Sequence, residues 1–338
     1  MSIRDTLLAG PLGFGTAPLG NMYRNISSDE AMATVDAAWA AGIRFFDTAP
    51  FYGAGLSEQR LGMALKKYPR DEYVIATKVG RLVLPELVDT STRTFGDKGN
   101  IFKDGNTNAI RYDYTAEGTK RSIADSLERL QVDRLDYVFI HDLAQDFHGD
   151  AWISMFEEAQ HGAFPVLDGL RDDGVIAAWG QGTNKVEPIE LGLELTEPRA
   201  NGMLLAGRYT ILDHESALQR LMSLATEKDV DVIVGGPYNS GALVGGAHFE
   251  YGAIPPAIAE RVARIGALCE EHGVPIEAAA LQFSLAHPAV AAVVPGSSKP
   301  ARIAEDVAAL SVDIPAAFWH ELRSSGTVAA AAPLPIDG

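Results

Sequence analysis

Short, continuously apolar runs alternate along this chain with longer stretches whose apolar positions recur at helical spacing. The short runs are residues 12–15, 43–47, 73–77, 136–140, 176–180, 202–205, 230–234 and 292–295. Their β-branched and aromatic content, without polar alternation, predicts strands covered on both faces. Between them, Ser28-Asp-Glu ahead of AMATVDAAWAAG predicts a capped helix that stops at Gly42. Residues 117–130 place Ile123, Leu127 and Leu130 on one helical face, and residues 255–272 and 301–310 follow the same logic.

Eight strands alternating with helices predict a (β/α)8 TIM barrel of the α/β class. The rival is a doubly wound sheet, which needs a GxGxxG turn after its first strand. The nearest candidate, Gly10-Pro-Leu-Gly-Phe-Gly15, has the wrong spacing. The expected organisation is one domain over residues 1–338, with the barrel over about 12–322 and a tail over 323–338. Residues 81–118, rich in Asp, Thr, Asn and Gly, read as a long irregular loop over the C-terminal face. The Ala/Pro-rich end TVAAAAPLPIDG reads as loosely held.

Composition narrows the function classes. The chain has 338 residues, 47% of them apolar, enough for a large core. No apolar run approaches the roughly 20 residues of a membrane span. The first residues lack a signal-peptide pattern, and the single cysteine, Cys269, excludes an internal disulfide. A cytoplasmic protein is expected. Lys and Arg number 28 against 45 Asp and Glu, a net charge of −17. Such a surface repels nucleic acid and anionic membranes, so neither is an expected partner. His148, His161, His214 and His248 have no ligand partners at metal spacing, so no metal is expected. No GxSxG motif marks a serine hydrolase.

Active sites in such barrels gather at the C-terminal ends of the strands. There the sequence places Asp47, then Tyr52 one turn later, Lys78 and His141. Hydride transfer to or from a carbonyl carbon also requires a proton at its oxygen. A tyrosine phenol does both jobs, but its ordinary pKa is about 10. An ammonium such as Lys78 lowers that value, with Asp47 holding the lysine charged. His141 orients the substrate oxygen. Taken singly, these residues read equally well as a helix cap, a rim aromatic, a solvated lysine and a structural histidine. Their coincidence on successive strand ends favours the chemistry.

Gly42-Ile-Arg-Phe-Phe-Asp-Thr-Ala-Pro-Phe-Tyr-Gly53, followed by Ser57-Glu58 and Leu61-Gly62, resembles the first signature of the aldo-keto reductases. Ala76-Thr-Lys-Val-Gly80 resembles their lysine motif and Val138-Phe-Ile-His141 their histidine motif. The segment from Val294-Pro-Gly-Ser-Ser-Lys to Ile303 resembles the part that grips the adenosine phosphate. The resemblance implies an NAD(P)-dependent oxidoreductase with Asp47, Tyr52, Lys78 and His141 as catalytic tetrad. It implies cofactor contacts from Thr16, Asp47, Asn184, Gly236, Pro237, Tyr238, Asn239, Gly241, Ser297, Ser298, Arg302, Glu305 and Asp306. Tyr23, Tyr52, His141 and Trp179 are the expected substrate contacts, although Trp179 stands where the family's sugar enzymes usually have a small aliphatic residue and reads alternatively as a core filler.

Residues 204–213, 235–241 and Ile140-His-Asp142 are similar to the branch of bacterial L-fucose and D-threo-aldose dehydrogenases and pyridoxal 4-dehydrogenase. The expected substrate is therefore a sugar, hemiacetal or aldehyde that gives up its anomeric hydride and leaves as a lactone. NADP-preferring reductases usually carry a lysine where Gly296 stands, and Asp306 adds a carboxylate nearby, so NAD is favoured over NADP. The alternatives are a general NADPH-dependent carbonyl reductase and a cofactor-binding regulatory subunit.

Overall fold

The computed structural model describes residues 2–93 and 99–337. These residues form twelve strands: β1 (Phe14–Gly15), β2 (Phe45–Asp47), β3 (Val74–Val79), β4 (Arg81–Leu87), β5 (Asn108–Tyr112), β6 (Tyr137–His141), β7 (Ala178–Thr183), β8 (Gly202–Ala206), β9 (Asp231–Gly235), β10 (His248–Phe249), β11 (Gly252–Ala253) and β12 (Val290–Val294). Eight of them pair in parallel in the order β1-β2-β3-β6-β7-β8-β9-β12. Parallel bridges Leu12–Val293 and Gly15–Gly296 join the first strand to the last and close the barrel. Each predicted apolar run contributes one barrel strand, with ends displaced by at most three residues.

Strand parity sorts the core into two layers. Phe45, Val74, Ala76, Tyr137, Phe139, Ala178, Leu204, Ile233 and Val294 fill the barrel interior. Their neighbours Phe46, Ile75, Val138, Trp179, Met203, Val232 and Val293 pack outward against the helices. Burial on both faces explains why these strands carry no polar alternation. Ile3, wholly buried, joins the interior layer, and Arg4 ties it in place through Pro288 O at 2.7 Å and Val290 O at 3.0 Å.

The helix Ser28–Ala40 is capped by Ser27, one residue before the Ser28 start expected, because Glu30 completes a reciprocal capping box with it. Helices Ala116–Leu130, Pro256–His272 and Pro300–Ala309 fall within one residue of expectation.

Two expectations need correction. Residues 81–118 are not one irregular loop, since β4 and β5 pair antiparallel with Arg81 opposite Tyr112 and Val83 opposite Ile110. The half-exposed hairpin carries polar residues on both sides, which hid its alternation. Residues 94–98 of this stretch lie outside the described residues. The Ala/Pro-rich end is also not loose: Val328, Ala332 and Leu334 are buried, and the Ala329 amide donates to His214 Nε2 at 3.0 Å. Small apolar residues read as linker composition but bury well. Among the described residues no helix is long and apolar enough to cross a membrane.

Candidate active site

A cavity of about 510 Å³ opens at the C-terminal ends of the barrel strands. Asp47, Lys78 and His141 enter it from β2, β3 and β6, and Tyr52 from the turn that follows β2. That turn is stitched down on several sides. Ser57 donates to Thr16 O at 2.7 Å and shares hydrogens with the Thr16 and Thr48 hydroxyls. Buried Glu58 accepts from Thr77 at 2.7 Å and from Arg129 at 2.6 Å. The motif residues around Tyr52 thus hold its backbone still.

Lys78 Nζ donates to both Asp47 carboxylate oxygens, at 2.9 and 2.8 Å, and to Thr48 O at 2.9 Å. All three ammonium hydrogens are used, and the nitrogen lies 4.8 Å from the centroid of the Tyr52 ring. His141 meets the Tyr52 ring edge to face at 5.9 Å. The structure therefore brings all four expected residues together.

The electrostatics differ from the expectation. The Tyr52 phenol is held well above its usual value rather than below it. Burial is the main cause, Asp47 and Asp142 add to it, and Arg81 opposes it. Asp47, paired with Lys78, offsets at the phenol the charge that the lysine brings. Burial also raises the Asp47 carboxyl, against the pull of Lys78. His141 is pushed well below its usual value by burial, then by Arg81 and Lys78, so its imidazole stays neutral. Its Nε2 lies 3.3 Å from Asp142 Oδ2.

Of the expected cofactor residues, Asp47, Asn184, Gly236, Pro237, Tyr238, Asn239, Gly241, Ser297, Ser298 and Arg302 line the cavity. Thr16, Glu305 and Asp306 do not. Thr16 instead supports the Tyr52 turn, donating to Asp47 O at 2.9 Å. Glu305 pairs with Arg302 at 3.0 Å. Buried Asp306 accepts the Tyr238 hydroxyl at 2.6 Å, fixing that ring to the helix Pro300–Ala309. Arg302 lies between Glu277 at 3.0 Å, Glu305 and Asp306 at 3.9 Å.

Of the expected substrate contacts, Tyr23, Tyr52 and His141 line the cavity, whereas Trp179 does not. It sits on the outward face of β7, donates to Asp168 at 3.0 Å and packs on Phe164. Strand parity turns Trp179 away from the cavity, which corrects that expectation.

Sequence reasoning missed several cavity residues. Asp142, beside His141, is paired with buried Arg81 at 2.6 Å. Its signals were its place at a strand end and its membership of the Ile140-His-Asp142 stretch. Tyr251 and Glu250 come from the β10–β11 connection, where Glu250 meets Arg208 and the Tyr251 hydroxyl reaches Asn184 at 3.3 Å. Arg24 and Lys299 also line the cavity, with Arg24 donating to Ser298. Among the described residues no three His, Cys, Asp or Glu side chains gather as metal ligands.

Comparison with known proteins agrees with this geometry. The pattern of the Aldo/keto reductase family matches residues 11–326. The chain is 38% identical to the D-threo-aldose 1-dehydrogenase of a Pseudomonas species, over 93% of each chain. It is 36% identical to the pyridoxal 4-dehydrogenase of Microbacterium luteolum, over 96% of each. Among solved structures, the holo form of an aldo-keto reductase from Bacillus halodurans superposes with a TM-score of 0.64 at 26% identity, covering 95% of this chain and 93% of that one. The chain belongs to the aldo/keto reductase family and is an NAD(P)-dependent oxidoreductase.

Proposed function

We propose that this aldo/keto reductase oxidises a small cyclic hemiacetal, a D-threo-aldose sugar or pyridoxal, at its anomeric carbon and releases a lactone. One observation carries the reading. Tyr52, neutral His141 and the Lys78–Asp47 pair face one cavity, in a chain whose relatives are an aldose and a pyridoxal dehydrogenase. Sugars and pyridoxal differ, but each closes onto its own aldehyde, and the resulting ring carries a hydroxyl and a hydride on one carbon.

The cavity fits a dinucleotide. Its volume is that of a small-molecule site. Asn184 offers a carboxamide partner, and Ser297, Ser298 and the start of the ten-residue helix Pro300–Ala309 offer donors to phosphate. A Cβ on Gly236 would meet nothing within 4 Å, so backbone there is open to a ligand. When bound, the oxidised dinucleotide supplies the hydride acceptor and a positive charge on its ring. Tyr52, once ionised to the phenolate beside that positive charge, takes the hemiacetal proton, His141 holds the same oxygen through a ring N–H, and Lys78 with Asp47 braces Tyr52. The chain's one cysteine, Cys269, is buried on the helix Pro256–His272, so the thiol route from aldehyde to acid has no nucleophile here.

Two observations support NAD over NADP. Arg302 is surrounded by three carboxylates, which leaves little positive potential for an added phosphate. Gly296 supplies no cation, and a Cβ there would lie 3.2 Å from Gly15 O, a tight contact.

A second reading, carbonyl reduction, is favoured by the raised Tyr52 pKa, because a phenol that keeps its proton is a ready donor. Incubation with NAD and L-fucose or pyridoxal, followed by NMR of early products, separates the readings. Lactone before acid is the expected result. Free acid appearing first, where added lactone survives, or turnover confined to aldehydes that cannot cyclise, overturns the proposal.

A further inference from the structure

Asp142 occupies an unusual position for a carboxylate. It follows His141 at the end of β6, adopts a left-handed backbone with φ of 53°, and donates its amide to Gly182 O at 2.9 Å. That kink lets it line the cavity next to His141 rather than continue the strand. Only 4% of the residue is exposed. Its Oδ2 accepts from Arg81 Nη2 at 2.6 Å. Arg81, only 1% exposed, opens β4 immediately after Gly80, and its guanidinium lies 3.8 Å from the Phe51 ring and 4.5 Å from Phe147. The cation is thus clamped by aromatic faces and aims at one carboxylate.

A buried ion pair is a poor device for stability, since an apolar pair of equal volume usually does as well. Here the pair ends in the cavity, beside the groups that would handle the hemiacetal oxygen. Tyr251 lines the same space. Burial, then Asp142 and then Tyr52 hold its phenol above the usual range, and all three residues line this one cavity. An anionic acceptor and a phenol facing one compartment match the vicinal hydroxyls of a sugar ring. Carboxylates accept two such hydroxyls in strong, charge-assisted bonds.

We infer that Asp142, positioned by Arg81, forms a subsite for ring hydroxyls away from the reacting carbon, selecting polyhydroxylated hemiacetals over plain ones. The inference rests on the hemiacetal reading above. Asp142 is a specificity residue that touches substrate. Arg81 is a positioning residue that acts through it. A ring without hydroxyls brings no donors to this carboxylate and gains nothing from it.

The test compares kcat/KM for L-fucose with kcat/KM for tetrahydropyran-2-ol, a cyclic hemiacetal with no other hydroxyl. Asp142→Asn is expected to lower the fucose-to-tetrahydropyranol ratio by about tenfold or more, the size of a lost charged hydrogen bond, mainly through KM for fucose. Arg81→Met is expected to lower the same ratio and Arg81→Lys to restore part of it. Because the ratio cancels any general damage to Tyr52 or His141, an equal fall on both substrates overturns the inference, as does an unchanged ratio. Circular dichroism and dinucleotide affinity check the fold, and Asp142→Glu replaces the Asn variant if that one fails to fold. If the unaltered enzyme oxidises neither ring, the hemiacetal reading fails by itself. The subsite is then judged by saturation-transfer NMR with L-fucose, where binding that persists unchanged in Asp142→Asn overturns it and binding lost in the variant supports it.

Discussion

Gly20 and Gly53 meet backbone to backbone where the Tyr52 turn crosses the first loop. A Cβ on Gly20 would lie 2.5 Å from the Tyr52 carbonyl carbon, and one on Gly53 would lie 2.4 Å from Gly20 O. The position of Tyr52 thus depends on two missing methyl groups. Gly20→Ala is expected to displace the turn, lower kcat by about tenfold or more and lower stability by about 1–3 kcal/mol. Steady-state kinetics and urea unfolding measure both. Unchanged kcat would show that the turn moves without consequence.

Tyr52→Phe keeps the ring and removes the proton carrier. Turnover should fall by about 10²–10⁴-fold, while dinucleotide affinity, followed by fluorescence titration, stays within about threefold. Turnover close to that of the unaltered enzyme would remove Tyr52 from the proposed chemistry.

Trp179→Phe tests the outward placement of that side chain. The variant loses the bond to Asp168 and should lose about 1–2 kcal/mol of stability. Its kcat/KM should stay within about twofold, because the residue does not reach the cavity. A large rise in KM without loss of stability would place Trp179 at the substrate.

Asp306 predicts a pH dependence. Burial pushes its carboxyl from 3.8 up to about 6, against the Tyr238 hydrogen bond and Arg302. Between those values the folded chain holds a proton that the unfolded chain has released, so stability falls as pH rises across that window. Asp306→Asn keeps an acceptor for Tyr238 but does not titrate. Relative to the unaltered protein it should gain about 1 kcal/mol more at pH 8 than at pH 5, read by urea unfolding. A gap that is constant with pH would contradict the raised value.

Glu277→Gln releases one of the carboxylates around Arg302. The NADPH dissociation constant should tighten by about fivefold or more, while that of NADH changes by less than twofold. Equal changes for both dinucleotides would mean that Arg302 does not discriminate.

The barrel was legible because strands buried on both faces carry apolar residues on both, with no polar alternation. The candidate tetrad was legible because each member stands at or just beyond a strand end. What stayed hidden depended on geometry that local sequence does not encode. In the apolar run 176–180 nothing distinguishes inward Ala178 from outward Trp179 until register is known. Arg81 and Asp142 are 61 residues apart, and Tyr238 and Asp306 are 68 apart, so neither pair has a spacing signature. The reversed direction at Tyr52 follows from the same limit. Sequence places a lysine near the phenol but does not reveal how deeply the phenol is buried or that Asp47 offsets the lysine's charge there.

The stopper at the bottom of the barrel has a consequence for synthesis. Ile3 and Arg4 are synthesised long before their partners, since Arg4 binds Asp231, Pro288 and Val290. The plug is made well before its socket. Until β12 emerges, the opening residues have nowhere to settle and must remain uncommitted while most of the chain is translated. Contacts so distant in sequence close slowly. The nascent chain therefore carries an unplaced apolar segment from the synthesis of Ile3 until that of Val290, and that is the interval in which a chaperone has the most to hold.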